Sequence, residues 1–137
     1  MPDTLLTIQI VAPDHSVLRE ENVSSVIVPA ADGYMGILPR HAPLMAELGV
    51  GQIEIRSADG PIARVATSGG FVMVERNQVS ILADTAELAQ DIDVRRAEES
   101  RQRAEHRLAE HASGMDVARA QAALVRAVNR LRVARRT

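Results

Sequence analysis

The sequence predicts an α+β protein in which an N-terminal antiparallel β-sandwich or barrel is followed by a C-terminal antiparallel α-helical hairpin. Two observations carry this prediction. Up to about residue 88, apolar and polar residues alternate with a period of two, and turn residues interrupt the alternation at short intervals. After Asp91 the period becomes helical and turn residues almost vanish. We therefore expect a β domain over residues 1–88 and a helical hairpin over residues 89–137.

Alternating runs justify the β domain. They cover residues 6–10, 26–28, 52–56, 62–66, 71–75 and 79–82. The turns at residues 57–61 and 76–78 join the last four runs into two hairpins, because each turn is short and contains Asn, Asp or Gly. Many short strands with no helical period between them are typical of an antiparallel sandwich or barrel.

The C-terminal part predicts two helices, from about residue 93 to 112 and from about residue 116 to the C-terminus. Ser113 and Gly114 predict the break between them, because Gly tolerates the left-handed conformation that follows a helix end. Asp116 can cap the start of the second helix. So short a connection predicts an antiparallel pair.

The apolar seam of this hairpin is thin. Steps of three and four residues place on it Val94, Ala97, Arg101, Ala104 and Leu108 from the first helix, and Val117, Leu124, Val128 and Leu131 from the second. At ~25 cal/mol per Å² of buried apolar surface, alanine contacts stabilise little. We therefore expect the hairpin to be marginally stable alone and able to open.

Composition excludes several classes of function. The 137 residues include no Cys, which excludes disulfides, thiol catalysis and cysteine-based metal sites. All sixteen basic residues are Arg, which excludes Schiff-base chemistry and the lysine of a phosphate loop. The aromatic residues are Tyr34 and Phe71, too few for a base-stacking surface, so we expect no nucleic-acid partner. The histidines and serines form no catalytic or metal-binding motif.

Charge divides the chain as the hydrophobic pattern does. Residues 1–90 hold five Arg and eleven acidic residues, a net charge of −6, whereas residues 91–137 hold eleven Arg and seven acidic residues, a net charge of +4.

No apolar run approaches the ~18 residues of a membrane span, and no basic region precedes an apolar one at the N-terminus. We expect neither a membrane span nor a leader.

Four arginines of the hairpin have a spacing that can bring them together. Arg96 and Arg103 are seven residues apart, or two turns, and Arg126 and Arg130 are four residues apart, or one turn. If the helices fold back about Gly114, all four guanidinium groups can converge and favour an anionic ligand. A solvated charged face is the alternative that spacing leaves open.

Several segments resemble the epsilon subunit of the bacterial rotary F-type ATP synthase. They are VPAADGYMGILPRHAPL at residues 28–44, SGGFV at 68–72 and VSILAD at 79–84, together with the helical hairpin, so the resemblance covers nearly the whole chain. It implies a non-catalytic subunit of the central stalk, which couples proton flow to ATP synthesis. Its N-terminal β-sandwich would bind the gamma subunit and contact the ring of c subunits. The subunit would be peripheral, on the cytoplasmic face of the bacterial membrane, and would touch the membrane only through the complex.

The resemblance also implies a regulatory hairpin. In some members of the family the C-terminal helices inhibit ATP hydrolysis by extending into the catalytic head of alpha and beta subunits. Arg132, Arg135 and Arg136 are then the candidates for contacts with that head.

A short motif at the start of the first helix extends this resemblance to a ligand. IDVRRA, at residues 92–97, is similar to the Ile/Leu-Asp-x-x-Arg-Ala motif of members that bind ATP in the folded hairpin. The implied ATP site consists of Glu87, Ile92, Asp93, Arg96, Ala97, Arg103, Arg126 and Arg130. Arginines can bind phosphate oxygens through paired N–H donors, and Asp93 can accept from the sugar or adenine or orient an arginine.

ATP would be sensed and not hydrolysed, because the sequence has neither a catalytic base motif nor a phosphate loop. ATP is thus expected as a regulatory ligand, with no cofactor and no metal. Two other classes stay open. One is a structural adapter whose helices pack permanently and bind no nucleotide. The other is a nucleic-acid binder that uses the basic tail, against which the acidic β domain and the scarcity of aromatic residues count.

Overall fold

The computed structural model describes residues 5–110 and 116–135. The chain forms two compact units, Met1–Leu88 and Ala89–Thr137, which we call the sandwich unit and the hairpin unit. The described strands of the sandwich unit are β1 (Leu6–Ala12), β2 (His15–Val23), β3 (Ser25–Ala30), β4 (Gly33–Ile37), β5 (Leu44–Leu48), β6 (Gly51–Ser57), β7 (Gly60–Thr67), β8 (Gly70–Glu75), β9 (Gln78–Ala83) and β10 (Ala86–Leu88). The hairpin unit contains a 3-10 helix (Ala89–Asp91) and the helices α1 (Val94–Glu110) and α2 (Val117–Arg135).

The strands of the sandwich unit form one hydrogen-bonded sheet folded around an apolar core. Along the sheet the strand order is β10-β7-β6-β3-β5-β8-β9-β1-β2, and β4 pairs with β3. The described pairings are antiparallel except that of β1 with β9, which is parallel. The predicted architecture, a β-sandwich followed by an α-helical hairpin, is confirmed.

The core follows from the alternation of the strands. In β1, Leu6, Ile8 and Ile10 are buried, while Gln9 between them is exposed. Further fully buried aliphatic side chains come from the other strands: Val23, Val26, Val28, Ile37, Ile53, Ile55, Val65, Val72 and Ile81. Burial of one such side chain contributes about 1.5–3 kcal/mol, so these residues are the main source of stability for the sandwich unit.

Alternation does not predict four of the strands, β2, β4, β5 and β10. β2 is an edge strand, and its Arg19, Glu20 and Glu21 interrupt the apolar alternation. Charges on an edge strand discourage pairing with another chain. β4 contains Gly33 and Gly36, and β10 has three residues, so neither shows a period.

Both helices begin at an aspartate cap. The Asp93 Oδ1 atom accepts a hydrogen bond from the backbone N–H of Arg96 at 3.1 Å, and Asp116 Oδ1 accepts one from the N–H of Arg119 at 3.0 Å. Each carboxylate thereby satisfies a backbone N–H group that has no partner within its helix. The predicted break at residues 113–114 lies outside the described residues.

The two helices meet through small side chains. The buried residues are Ala97 and Ala104 on α1, and Ala120, Ala127, Leu131 and Val133 on α2. Two residues predicted on the seam, Val94 and Val117, are exposed, because each is the first residue of its helix. Val133 is buried although it is off the predicted seam.

Candidate functional site

The residues of the implied ATP site are divided between the two units. Glu87 lies on β10 of the sandwich unit, in register with Ala66 of β7. The other seven lie in the hairpin unit. Three of these have structural roles: Asp93 caps α1, Ala97 is fully buried between the helices, and Ile92 is buried just before the cap.

The four arginines occupy one flank of each helix. Because an α-helix turns ~100° per residue, Arg96 and Arg103 point within about 20° of each other, and Arg126 and Arg130 within about 40°. Arg96, Arg103 and Arg126 are exposed, whereas Arg130 is half-buried. Arg103 donates from Nη2 to the hydroxyl of Ser100 on its own helix, at 3.0 Å.

A groove lies on the opposite flank of the hairpin. Its lining residues are Glu98 and Arg101 from α1, and Val128, Leu131, Arg132 and Arg135 from α2. Its volume is about 440 Å³. Measured from the buried Ala97, Arg96 lies ~100° to one side of α1 and Glu98 ~100° to the other. The groove is therefore separate from the four arginines of the implied ATP site.

An ion-pair network crosses this groove. Arg101 donates to Glu98 through Nη2 and to Glu105 through Nη1, the latter at 2.5 Å. The second oxygen of Glu98, Oε2, accepts from Arg135 Nη2 at 3.3 Å. Because Glu98 and Arg101 are on α1 and Arg135 is on α2, the network joins the two helices.

Electrostatics in the network favour the charged forms. The hydrogen bond from Arg101 lowers the pKa of the Glu98 carboxyl below its ordinary value, against an opposing effect of partial desolvation. The positive charges of Arg101 and Arg135 lower this pKa further. Hydrogen bonds to Glu98 and Glu105 raise the pKa of the Arg101 guanidinium. Glu98 is therefore a carboxylate at neutral pH.

The sequence contains part of the signal for this network. Glu98 and Arg101 are three residues apart, and Arg101 and Glu105 are four apart, which are the spacings of ion pairs within a helix. Spacing alone places Arg101 on the seam between the helices. The pair with Arg135 depends on how the two helices align, which no local pattern shows.

The sandwich unit has an apolar face of its own. Met45, Phe71, Met73 and Leu82 are between 42% and 68% exposed. Met45 is in register with Met73, and Phe71 with Leu82, so the four side chains extend across β5, β8 and β9. We call these four residues the apolar face. Contiguous exposed apolar side chains commonly mark a protein interface.

Some kinds of site are absent from residues 5–110 and 116–135. No group of three or more His, Asp or Glu side chains there can hold a metal ion. Neither α1 nor α2 is long and apolar enough to cross a membrane.

Comparison with known families matches both parts of the chain. Residues 5–89 match the family described as "ATP synthase, Delta/Epsilon chain, beta-sandwich domain". Residues 90–135 match "ATP synthase, Delta/Epsilon chain, long alpha-helix domain".

Similar proteins cover almost the full chain. The ATP synthase epsilon chain of Symbiobacterium thermophilum is 47% identical over 134 residues, which is 98% of this chain and 94% of that protein. The ATP synthase epsilon chain of Moorella thermoacetica is 50% identical over 129 residues, 94% of this chain and 96% of that protein.

Solved structures show the same fold. A chain of the Euglena gracilis mitochondrial ATP synthase, in a structure of OSCP, F1 and the c-ring, has a TM-score of 0.74 at 21% identity and aligns with 93% of this chain and 79% of its own. A chain from the central stalk and c-ring of the Tetrahymena thermophila mitochondrial ATP synthase has a TM-score of 0.60 at 14% identity, over 94% of this chain and 96% of its own.

Proposed function

This chain belongs to the ATP synthase delta/epsilon family, and from that premise we propose that it couples proton flow to ATP synthesis as a rotor subunit of the central stalk. Epsilon chains are structural and regulatory stalk subunits and not catalytic ones. The proposed partners are the gamma subunit and the c-ring, and the proposed location is the cytoplasmic face of the bacterial membrane. The sandwich unit would be the fixed coupling part and the hairpin unit the regulatory part.

The apolar face is the observation that best supports a docking role for the sandwich unit, and we assign the gamma subunit to it. Phe71 is 52% exposed and Met45 is 68% exposed. Neither side chain belongs to the hydrophobic core of the sandwich unit. Covering such side chains on association gains ~25 cal/mol for each Å² of apolar surface removed from water. A rotor subunit needs a permanent partner, and an apolar interface suits permanent contact.

Binding to purified gamma subunit tests this assignment. The variant Phe71→Asp places a charge within the apolar face, beside Leu82. Ala58→Asp places the same charge in the exposed turn between β6 and β7. We expect Phe71→Asp to weaken gamma binding at least tenfold, as is usual for a charge in an interface core. Ala58→Asp should bind like the wild type. Equal affinities for the two variants, with unchanged thermal unfolding, would remove the apolar face from the interface.

For the hairpin unit we propose that ATP is a regulatory ligand of the closed helices. Support comes from Arg96 and Arg103 on one flank of α1 and Arg126 and Arg130 on one flank of α2. Guanidinium groups supply paired donors that suit phosphate oxygens. A ligand that contacts both helices binds the closed hairpin more tightly than the open one, so ATP would shift the equilibrium towards closure.

Calorimetric titration of the full chain with ATP tests this proposal. Arg103→Ala and Arg126→Ala should each weaken ATP binding. Arg119→Ala removes a charge from the exposed first turn of α2 and is the matched control. If all four proteins give the same isotherm, Arg103 and Arg126 do not belong to the site. If the thermal stability of the wild type is also unchanged in millimolar ATP, the hairpin is a structural adapter without a nucleotide.

Inhibition of ATP hydrolysis is the third part of the proposal. The open hairpin would extend towards the alpha and beta subunits, where Arg132 and Arg135 supply positive charge. Both are exposed near the end of α2, and the third predicted candidate, Arg136, lies outside the described residues. Hydrolysis by the assembled enzyme should rise when Arg132 is replaced by Gln, and unchanged hydrolysis would count against its role.

A further inference from the structure

We infer that the ion pair between Glu98 and Arg135 is a clasp that keeps the free end of the hairpin closed, with Arg101 as its positioning residue. This inference goes beyond the proposed function, because it concerns the pairing of the two helices and requires neither ATP nor a partner subunit. It rests on the apolar contact between the helices, on the geometry of the network and on the partial burial of Glu98 and Arg101.

The fully buried part of the contact between α1 and α2 consists mostly of alanines. Among the described residues of α1, the buried ones are Ala97 and Ala104. Four buried residues of α2 include two further alanines, so Leu131 and Val133 are the larger fully buried side chains. Leu108, Leu124 and Val128 are half-buried. An alanine side chain has one methyl group, and a buried CH₂-sized group contributes only about 0.8 kcal/mol. Because the buried alanines contribute little free energy, a polar contact between the helices can shift the equilibrium between the closed and open hairpin.

The clasp lies at the end of the hairpin where the helices separate most easily. Glu98 lies in the second turn of α1 and Arg135 is the last residue of α2, so their contact is at the end of the hairpin remote from the connection between the helices. A helix pair opens most readily at its unconnected end, because there the chain does not hold the helices together. Arg135 also lies at a helix C-terminus, where the helix dipole favours a positive charge.

Arg101 fixes the carboxylate that the clasp uses. It binds Oε1 of Glu98 and leaves Oε2 directed to Arg135. Glu105 in turn binds Nη1 of Arg101, so the guanidinium is held from both sides along α1. A carboxylate held in this way loses less side-chain freedom when Arg135 arrives, and that entropy loss is what weakens most surface ion pairs.

Partial burial also distinguishes the clasp from a surface pair. The side chains of Glu98 and Arg135 are 27% and 61% exposed, and that of the positioning residue Arg101 is 29% exposed. By contrast, the pair Arg95–Glu99 on the same helix has side chains that are 90% and 53% exposed. Val128 and Leu131 line the groove beside the network and reduce its contact with water. Salt therefore screens the clasp less than it screens Arg95–Glu99.

Hydrogen exchange measured on the full chain, without nucleotide or partner, tests the clasp. The variants are Glu98→Gln, Arg135→Gln and the double variant. Glu99→Gln and Arg132→Gln are matched controls, since each removes the same charge from the same helix without breaking the contact between helices. The exchange of amides in β8 and β9 reports whether each variant retains the fold of the sandwich unit.

We expect Glu98→Gln and Arg135→Gln each to raise exchange at the start of α1 and the end of α2 by roughly two- to fivefold over their controls. The double variant should exchange no faster than Glu98→Gln, because the loss of Glu98 already removes the contact with Arg135. Equal exchange in Glu98→Gln and Glu99→Gln, or additive effects in the double variant, would overturn the clasp.

A second measurement varies the salt concentration. Exchange of the wild-type helices should rise with sodium chloride between 0.02 and 0.5 M, over which the Debye length falls several-fold. That rise should be smaller in Glu98→Gln, in which pairs within α1 such as Arg95–Glu99 remain to be screened. A salt response of the same size in both proteins would also refute the inference.

Discussion

Gly70 should be a position of the sandwich unit where a single methyl group causes large destabilisation. Its φ is +131°, a region that L-residues with a side chain rarely adopt. A Cβ atom at this position would lie 2.1 Å from the carbonyl oxygen of Leu82 and 2.8 Å from Cα of Ala83. These are backbone atoms of β9, which pairs with β8 from Gly70 onward. They can move only if the two strands separate.

The magnitude can be worked out by comparing three glycines. Gly36→Ala meets nothing within 4 Å and has no positive φ, so we expect a small change of either sign, below about 1 kcal/mol. Gly33→Ala also meets nothing within 4 Å, but its φ is +138°. Strain alone should cost it about 1–3 kcal/mol. Gly70→Ala has the same strain and in addition the steric overlap, which costs about 1–3 kcal/mol more.

Urea unfolding of the three alanine variants measures these differences. The predicted order of destabilisation is Gly70→Ala, then Gly33→Ala, then Gly36→Ala. A total loss of about 2–6 kcal/mol at Gly70 would be a large part of the 5–15 kcal/mol that stabilises a typical domain. If Gly70→Ala is no less stable than Gly33→Ala, the close approach of β8 and β9 does not constrain this position and the reasoning fails.

Three further outcomes are expected. Thr67→Val should lower the free energy of unfolding in urea by about 1–3 kcal/mol. The buried hydroxyl of Thr67 lies 3.1 Å from the carbonyl oxygen of Gly69 and 3.0 Å from that of Thr85, and Val has no hydroxyl. Thr67→Ser keeps the hydroxyl and should lose clearly less stability. Asp93→Ala should destabilise α1 by about 0.5–2 kcal/mol through loss of its cap, whereas Asp93→Asn should retain most of the stability; equal losses would exclude capping as the cause. Because the pKa of Glu98 is lowered in the folded hairpin, its contribution is complete above the ordinary pKa of a Glu carboxyl and is lost as the pH falls through the lowered value. An acid titration followed by helical circular dichroism should show this step in the wild type and not in Glu98→Gln.

Much of the fold is predictable because its signals are local. The alternation of Leu6, Ile8 and Ile10 and the two hairpins around residues 57–61 and 76–78 need only neighbouring residues to be read. The parallel pairing of β1 with β9 joins segments about 70 residues apart, and no local pattern specifies it. The edge strand β2 is also not predicted from alternation. Its charged residues suit the solvent-exposed edge of the sheet, and they do not alternate with apolar core residues.

The hairpin unit shows the same limit at its candidate site. The cap predicted at Asp116 is present. Asp93 is expected only in the ATP site, and the cap that it supplies to α1 is not predicted. The ion pairs from Arg101 to Glu98 and Glu105 follow from helical spacing. The contact with Arg135 does not, because a shift of one turn between the helices would change which α2 residue meets Glu98. The groove is therefore a property of the assembled pair.

Three residues of the motif at positions 92–97 have structural roles that do not depend on any ligand. Asp93 starts α1, Ala97 permits close approach of α2, and Ile92 is buried beside them. Within the motif, Arg96 is the exposed residue whose guanidinium has no such structural explanation in the described contacts. The motif alone therefore argues for a correctly started helix, and the case for ATP depends on Arg96 together with the arginines beyond the motif.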